Sequence, residues 1–578
     1  MHNHFEKKTL KALLKKIYKD NHDINSLTQE ITDIILNFKN NNKTSRKKNN
    51  TYLNDAFLIT YPDSISDSNN SPLKTLNHFL NHFNINVNSI HILPFMPSSS
   101  DSGFSVIDYT KIDTNFGNWG DLSDLANKYS IMIDLVLNHT SQESEWFKNF
   151  QKGSGYGYDY FIEIDNWQGI PQISRPRTSE IFKEFKVNKK NKKVWCTFSH
   201  DQIDLNFKNP QVLIEFIKIF IFYLEKNIQK FRLDAIAYIW KEEKTNCINR
   251  PESHYIVKVF RLIVDYLDSE SILVTETNIP NKENLSYFGN NDEAHWIYNF
   301  TLSPLILYTL SNGNSQTLRR WSMTMPPAKH GNSYFNFLAS HDGIGLRPLE
   351  GYVEGNELNE LLTRMESYGG KISYRTSQWG DEIPYEINIS LLDSFKGTVN
   401  GLDAYIVERF LCAHLIMFSF EGVPAIYIHS LLGTRNNYES IEKGFELRAI
   451  NRYRWNKKEI FDKLNNPKTI NSKIFKKMNK ILEIRSQQPA FDPEATQFTL
   501  NLGNELFGIW RQDKNKTQSI FCISNVTNRS KTLTLASINL IEGQKWWDLI
   551  TENYITDIYG EVALSAYQSM WITNKDSG

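Results

Sequence analysis

Arg232 and Asp234 stand two residues apart in "KFRLDAIAYIW" (230–240), where six of eleven residues are Phe, Leu, Ala or Ile. Such a run predicts a buried strand, and on a strand residues i and i+2 face the same way. A guanidinium and a carboxylate therefore enter the same buried space, which is strongly disfavoured unless the charges are paired or used. Two readings follow. The pair is a structural ion pair, or Asp234 is a catalytic carboxylate kept ionised by its arginine neighbour, since an adjacent positive charge lowers a carboxyl pKa. This segment taken alone supports both.

Similar runs end in polar residues as well. "IMIDLVLNH" (131–139) finishes in Asn138 and His139, "SILVTETN" (271–278) carries Glu276, and "SYFNFLASHD" (333–342) finishes in His341 and Asp342. "SIHILPF" (89–95) leads into "PSSSDSGF", which holds Asp101 and Phe104. A histidine at a strand end is often only a hydrogen-bonded core residue. Carboxylates that converge, however, repel one another unless they differ in protonation, and that difference is how acid and base roles are separated. The pattern favours one shared site.

The elements that must position these residues alternate. The five runs above, with "AFLIT" (56–60), "GVPAIYI" (422–428) and the weaker "HWIYNF" (295–300), read as strands. "LIEFIKIFIFYLEK" (213–226) and "HYIVKVFRLIVDYLD" (254–268) read as helices between them. Repeated strand–helix alternation predicts parallel βα units. The expected fold class is α/β, a (β/α)8 TIM barrel, whose chemistry gathers at the C-terminal ends of its strands. Residues 140–205, rich in Gly, Lys and aromatics without a helical period, read as a subdomain inserted after the third strand, and 346–400 as a second excursion. The expected domains are a helical extension (1–50), a catalytic barrel (51–485) and an all-β C-terminal domain (486–578) of short alternating stretches. Within the extension, Leu10, Leu13, Leu14 and Ile17, then Ile31, Ile34, Ile35 and Phe38, recur at helical spacing. "NNNKTSRKKNN" (40–50) reads as a solvated linker.

Composition narrows the partners. Lys+Arg and Asp+Glu are both 65 among 578 residues, so no global field favours nucleic acid or an anionic membrane. The four cysteines are scattered, which indicates neither a zinc site nor a disulfide framework. The N-terminus lacks the apolar core of a signal peptide, and no run of 18 apolar residues occurs. A cytoplasmic protein is the expectation, with no membrane partner.

"DLVLNH", "FRLDAIAY", "VTETN" and "LASHDGIG" resemble, in order, the four signature segments of the α-amylase superfamily, glycoside hydrolase family 13. "HILPFMPSSSDSGFSVIDY", "SRPR", "SHDQIDLNF", "YFGNNDEAH" and "RAINR" resemble its sucrose phosphorylase branch, particularly the glucosylglycerate phosphorylases, from about residue 55 to the C-terminus. The resemblance implies that Asp234 is the nucleophile of a retaining double displacement, Glu276 the acid/base and Asp342 the transition-state stabiliser. It implies further that Arg232 holds Asp234 ionised, that His139 and His341 bind glucose hydroxyls, and that Phe104 stacks on the ring. Asp101 and Arg448 would pair to close the glucose site. Arg177, in "SRPR", would contact phosphate, for which its planar fork of donors is suited. Asn278 stands where sucrose phosphorylases carry histidine, a departure that disfavours sucrose and suits a small polar aglycone. Glu386 is a further candidate on the aglycone side. Asn138 falls where many amylases bind calcium, but no acidic ligand cluster accompanies it, and no metal is expected.

The function so implied is conversion of an α-glucoside, glucosylglycerate first, plus phosphate to α-D-glucose 1-phosphate and the aglycone, with inorganic phosphate as co-substrate and no cofactor. Glucosylglycerol, sucrose and sucrose 6-phosphate remain as alternative donors. A hydrolase or transglucosidase would share the chemistry up to the acceptor, and a non-enzymatic carbohydrate-binding relative would be expected to have lost the carboxylates. A monomer and a homodimer are both compatible with the sequence.

Overall fold

The computed structural model describes residues 5–19, 21–41, 56–164, 167–168, 173–268, 270–328, 331–377 and 380–574. The linker read at 40–50 lies outside them except for Asn40 and Asn41, which end a helix.

Eight parallel strands close into a barrel in chain order: β1 (Phe57–Thr60), β2 (Ser89–Ile92), β3 (Ser130–Val136), β4 (Lys230–Asp234), β5 (Ile272–Thr275), β6 (Trp296–Tyr298), β7 (Ser333–Phe337) and β8 (Val423–Tyr427). The run at 295–300 is thus a full member of the barrel. β4 shows how the alternation works. Phe231 points outward, its ring 4.4 Å from Phe220 and sharing that aromatic packing with Phe260. Lys230, Arg232 and Asp234 point inward in successive layers, as barrel geometry requires. Register places Arg232 beside Asp134 of β3 and Val274 of β5. The helices Pro210–Glu225 and Pro251–Leu267 flank β4 in the chain, each opened by a proline whose missing N–H costs nothing in the first turn.

The N-terminal extension forms two amphipathic helices, α1 (Lys7–Tyr18) and α2 (Ile24–Asn41). Leu10, Leu13, Leu14 and Ile17 of α1 are buried against the outer helix Pro251–Leu267. Lys39 of α2 donates to the Tyr266 carbonyl at 3.2 Å. The extension therefore braces the helices on either side of β4.

The insertion after β3 returns to the barrel through His139–Ser141 paired antiparallel with Gln202–Asp204. It carries a hairpin, Phe182–Val187 with Lys190–Trp195, and a short helix, Glu145–Lys152. That helix departs from the reading of this segment as lacking a helical period: Trp146, Phe147 and Phe150 recur at helical spacing, Ser144 caps one end and Gly153, at φ 74, ends the other. The second excursion is a three-stranded antiparallel sheet in which 382–388 lies between 344–345 and 371–376, followed in space by the helix Gly355–Ser367. Beyond residue 495 the chain is all β apart from one short 3₁₀ turn, with a six-stranded sheet and a two-stranded ribbon over a separate apolar cluster.

All four cysteines are buried and unpaired. Among the described residues no helix is long and apolar enough to cross a membrane.

Candidate active site

Asp234 is the last residue of β4, and Glu276 follows the last residue of β5. His139 lies just beyond β3, and His341 and Asp342 beyond β7. Asp101 and Phe104 stand on the turn after β2, where Gly103 (φ 108) packs so closely that a Cβ would lie 2.7 Å from the Pro94 carbonyl oxygen. Arg448 comes from a 3₁₀ turn after β8, Arg177 from the insertion, and Asn278 from the loop after β5. All of these, with Arg232 and Glu386, line one pocket at the C-terminal mouth of the barrel.

Arg232 is the centre of the site. Its side chain is 2% exposed, and Nη1 donates to both Asp134 and Asp234 at 2.6 Å. Nη2 lies 3.7 Å from Glu276 and 3.9 Å from Asp342. One guanidinium thus sits among four carboxylates. The backbone turns sharply after the nucleophile candidate. Ala235 is left-handed (φ 50), and its N–H donates to Glu276 Oε2 at 2.9 Å. A non-glycine residue in that conformation stores strain that the surroundings must hold.

The protonation preferences follow from burial and neighbours. Burial pushes Asp234 well above the usual carboxylate range; Arg232 opposes the shift, and Glu276 and Asp134 add to it. Glu276 is also raised, by burial first, with Arg232 opposing and Asp342 adding. Burial acts on Asp342 too, yet Arg448, His341 and Arg232 outweigh it and hold that carboxyl well below its ordinary range. Arg232 alone therefore does not fix the charge of Asp234, because it is shared with Asp134 and works against desolvation. The geometry still ranks the pair. Arg232 touches Asp234 and stands off Glu276, so its charge favours the ionised form of Asp234 over that of Glu276. Burial drives His139 and His341 below the ordinary histidine range, which leaves both neutral.

One expected pairing differs. Arg448 does not pair with Asp101. It binds Asp342 at 2.6 Å and grips Glu386 through two bonds of 3.0 and 2.6 Å. Glu386, buried, offers two oxygens to the planar guanidinium fork, whereas Asp101 is held by Gln202 Nε2 at 2.9 Å. Phe104 stacks on His341, with centroids 4.9 Å apart and planes 7° from parallel. Arg177 lies 5.9 Å from the centre of the Tyr385 ring and donates weakly to the Pro176 carbonyl at 3.4 Å.

Asp134, Gln202, Tyr238 and Tyr385 were not singled out from sequence. Asp134 was findable: it is a carboxylate within the apolar run "IMIDLVLNH", the same anomaly that drew notice to β4. It bridges Arg232 to His91, whose Nε2 lies 2.9 Å away. Nothing local marks the other three. Asn138 Oδ1 accepts from Lys241 Nζ at 2.6 Å, and the same ammonium pairs with Asp204 at 2.5 Å.

Fold and site together define a glycoside-active barrel, and comparison with known proteins agrees. Residues 59–344 match the alpha-amylase catalytic domain, and the chain belongs to that family. It is 38% identical to the glucosylglycerate phosphorylase of Spirochaeta thermophila over 90% of each chain, and 37% identical to that of Escherichia coli over 92% of this chain and 93% of the relative. The structure superposes on sucrose 6F-phosphate phosphorylase from Thermoanaerobacter thermosaccharolyticum with a TM-score of 0.72 and 25% identity, covering 89% of this chain and 98% of the other.

Proposed function

We propose that this protein is a retaining glycoside phosphorylase whose donor is glucosylglycerate. The observation that carries the reading is the placement of Arg232, in contact with Asp234 but 3.7 Å from Glu276. It separates a nucleophile from an acid within one buried cluster. The identity to glucosylglycerate phosphorylases over most of the chain supports the choice of donor.

In the first step an Asp234 oxygen attacks the anomeric carbon, and the bond from that carbon to the aglycone oxygen breaks. Glu276 gives its proton to the departing oxygen. Asp342 faces the positive charge that develops on the ring, and its depressed pKa keeps it anionic. In the second step a phosphate oxygen attacks the same carbon, Asp234 leaves, and the proton of the phosphate passes to Glu276. Two inversions retain the α configuration. His341, being neutral, can offer a hydrogen bond to a sugar hydroxyl without adding charge, whereas His139 Nε2 rests 3.1 Å from the Phe104 carbonyl and must exchange that contact to reach the sugar; Phe104 lines the pocket with its ring stacked on His341. Arg177 offsets the negative field that phosphate meets on entry. Lys241 places an ammonium between Asn138 and Asp204, where a cation would otherwise be drawn, which supports a site without a metal there. Cytoplasmic residence suits four reduced, buried cysteines.

Incubation with phosphate and, separately, glucosylglycerate, glucosylglycerol and sucrose tests the reading. The expected product is α-glucose 1-phosphate, fastest from glucosylglycerate, with the anomer read by proton NMR of the first-formed product. Free glucose without glucose 1-phosphate means a hydrolase. A β-anomer removes Asp234 from the nucleophile role.

A further inference from the structure

Part of the pocket lining, Tyr385 and Glu386, comes from the second excursion, which also carries Arg347 and Arg375. Gly345 packs so tightly on the loop after β5 that a Cβ would lie 3.0 Å from Asn278 Nδ2. Leu346 N–H donates to the Tyr385 carbonyl at 2.9 Å, and Asn278 Nδ2 donates to the Tyr385 hydroxyl at 3.3 Å. These contacts hold Arg347 beside the mouth. Arg375, on the strand paired with 382–388, stands opposite Ile383, two residues from Tyr385. Arg347 Nε and Arg375 Nε are both buried without a hydrogen-bond partner, and these guanidiniums, with that of the pocket-lining Arg177, lie near enough to the Tyr238 hydroxyl for their charges to act on it. Arg375 has one carboxylate partner, the half-exposed Glu350 at 3.2 Å. Arg347 has none among the described residues.

Tyr238 is the second observation that points to a ligand. It ends the 3₁₀ turn that starts two residues after Asp234, so its position is fixed by the nucleophile strand. The side chain is 7% exposed and lines the pocket, and its hydroxyl has no hydrogen-bond partner in the protein. The Asn278 Oδ1 beside it is also buried without a partner. Buried polar atoms left this way are costly unless a ligand satisfies them.

Building on the phosphorylase reading, we propose that Arg347 and Arg375, with the Tyr238 hydroxyl, form the carboxylate-recognising wall of the acceptor site and select anionic aglycones over neutral ones. A neutral aglycone gains nothing from two further guanidiniums near a hydroxyl that already faces Arg177. A carboxylate on a three-carbon aglycone has two oxygens to share between them, and its hydroxyls can donate to Asn278 Oδ1. Arg177 remains for the inorganic phosphate that follows.

The test runs the reaction in reverse with glucose 1-phosphate and compares D-glycerate with glycerol as acceptors. Arg347→Ala should lower the glycerate-to-glycerol ratio of kcat/KM by about ten- to a hundredfold, the value of a lost charge-assisted hydrogen bond. Arg347→Lys should fall between wild type and Arg347→Ala, and Tyr238→Phe should lower the ratio by several-fold. The loss on glycerate should exceed any change in apparent phosphate affinity. A ratio within twofold of wild type, or a loss borne by phosphate and not by glycerate, overturns the proposal. A readout free of catalysis guards against variants that fold poorly: D-glycerate should raise the melting temperature of the wild type more than equimolar glycerol does. Equal shifts would also overturn it. Failure of the phosphorylase reading shows separately, as a wild type that releases no phosphate from glucose 1-phosphate with either acceptor.

Discussion

The two walls of the pocket solve opposite electrostatic problems with different materials. The barrel wall gathers Asp134, Asp234, Glu276 and Asp342 around Arg232: Asp134 lies within β3, Asp234 ends β4, Glu276 follows β5 and Asp342 stands in the loop after β7. Parallel strands are rigid and their register is shared, so carboxylates held there keep their spacing while burial moves their pKa values apart. The other wall is made of loops and a small antiparallel sheet that line the pocket with Arg177, Tyr385 and Glu386, with Arg347 and Arg375 near enough for their charges to act on Tyr238. Its cations have few protein partners. The barrel wall is therefore closed on itself and suited to chemistry on one fixed ring, whereas the loop wall is open in charge and suited to an exchangeable anion. Arg448 joins the two, binding Asp342 on one side and Glu386 on the other.

Breaking the barrel wall should cost most. Asp234→Asn removes the group that bonds to the sugar, and steady-state turnover should fall on the order of 10⁴-fold or more. Retention of a tenth of the activity would place the nucleophile elsewhere. Glu276→Gln should cost about 10²- to 10⁴-fold on glucosides with poor leaving groups and far less on activated ones such as glucosyl fluoride. The same residue governs a pH limb. Glu276 works protonated in donor cleavage, and burial raises its pKa. Activity should persist above the ordinary glutamate range and fall as pH rises through the raised pKa. In Glu276→Gln, assayed with an activated donor, that alkaline limb should vanish; a persisting limb assigns it to another group.

Changes to the loop wall should be smaller and fall on the acceptor. Arg177→Ala should weaken phosphate use by about ten- to a hundredfold while glucosyl-enzyme formation suffers less. Free glucose should rise relative to glucose 1-phosphate across a phosphate titration, and an unchanged product ratio would make Arg177 a mere surface residue. The smallest effect belongs to Tyr385→Phe, which removes the hydroxyl that accepts from Asn278 at 3.3 Å. A loss of about 1 kcal/mol, or roughly fivefold in aglycone KM with kcat little changed, is expected. A fall in kcat as large as that in kcat/KM would mean that the bond acts on the transition state.

The difference between the walls also explains what could be read from the chain. The strand candidates from 56–60 to 422–428 each overlap an observed barrel strand, because a buried parallel strand is a short apolar run. Arg232, Asp234, Glu276 and Asp342 were legible for the same reason: a charge within or at the end of such a run is an anomaly that folding tolerates only with cause. Asp134 carried the same signal. The loop wall had no such contrast. Arg347 and Arg375 lie outside any run that reads as a barrel strand, and the pairing of 382–388 with both neighbouring strands brings their segments together. Partner choice was likewise invisible. Asp101 and Arg448 both reach the pocket, but whether a guanidinium takes one carboxylate or another depends on distances of a few ångströms, set by packing across segments far apart in the chain. What the sequence by itself determined was the barrel and which carboxylates stand in its mouth, because local periodicity and the cost of buried charge act residue by residue. Which cation sits on which carboxylate, and which charges face the acceptor, was decided only in the tertiary structure, since Coulombic energy depends on separation in space and not along the chain.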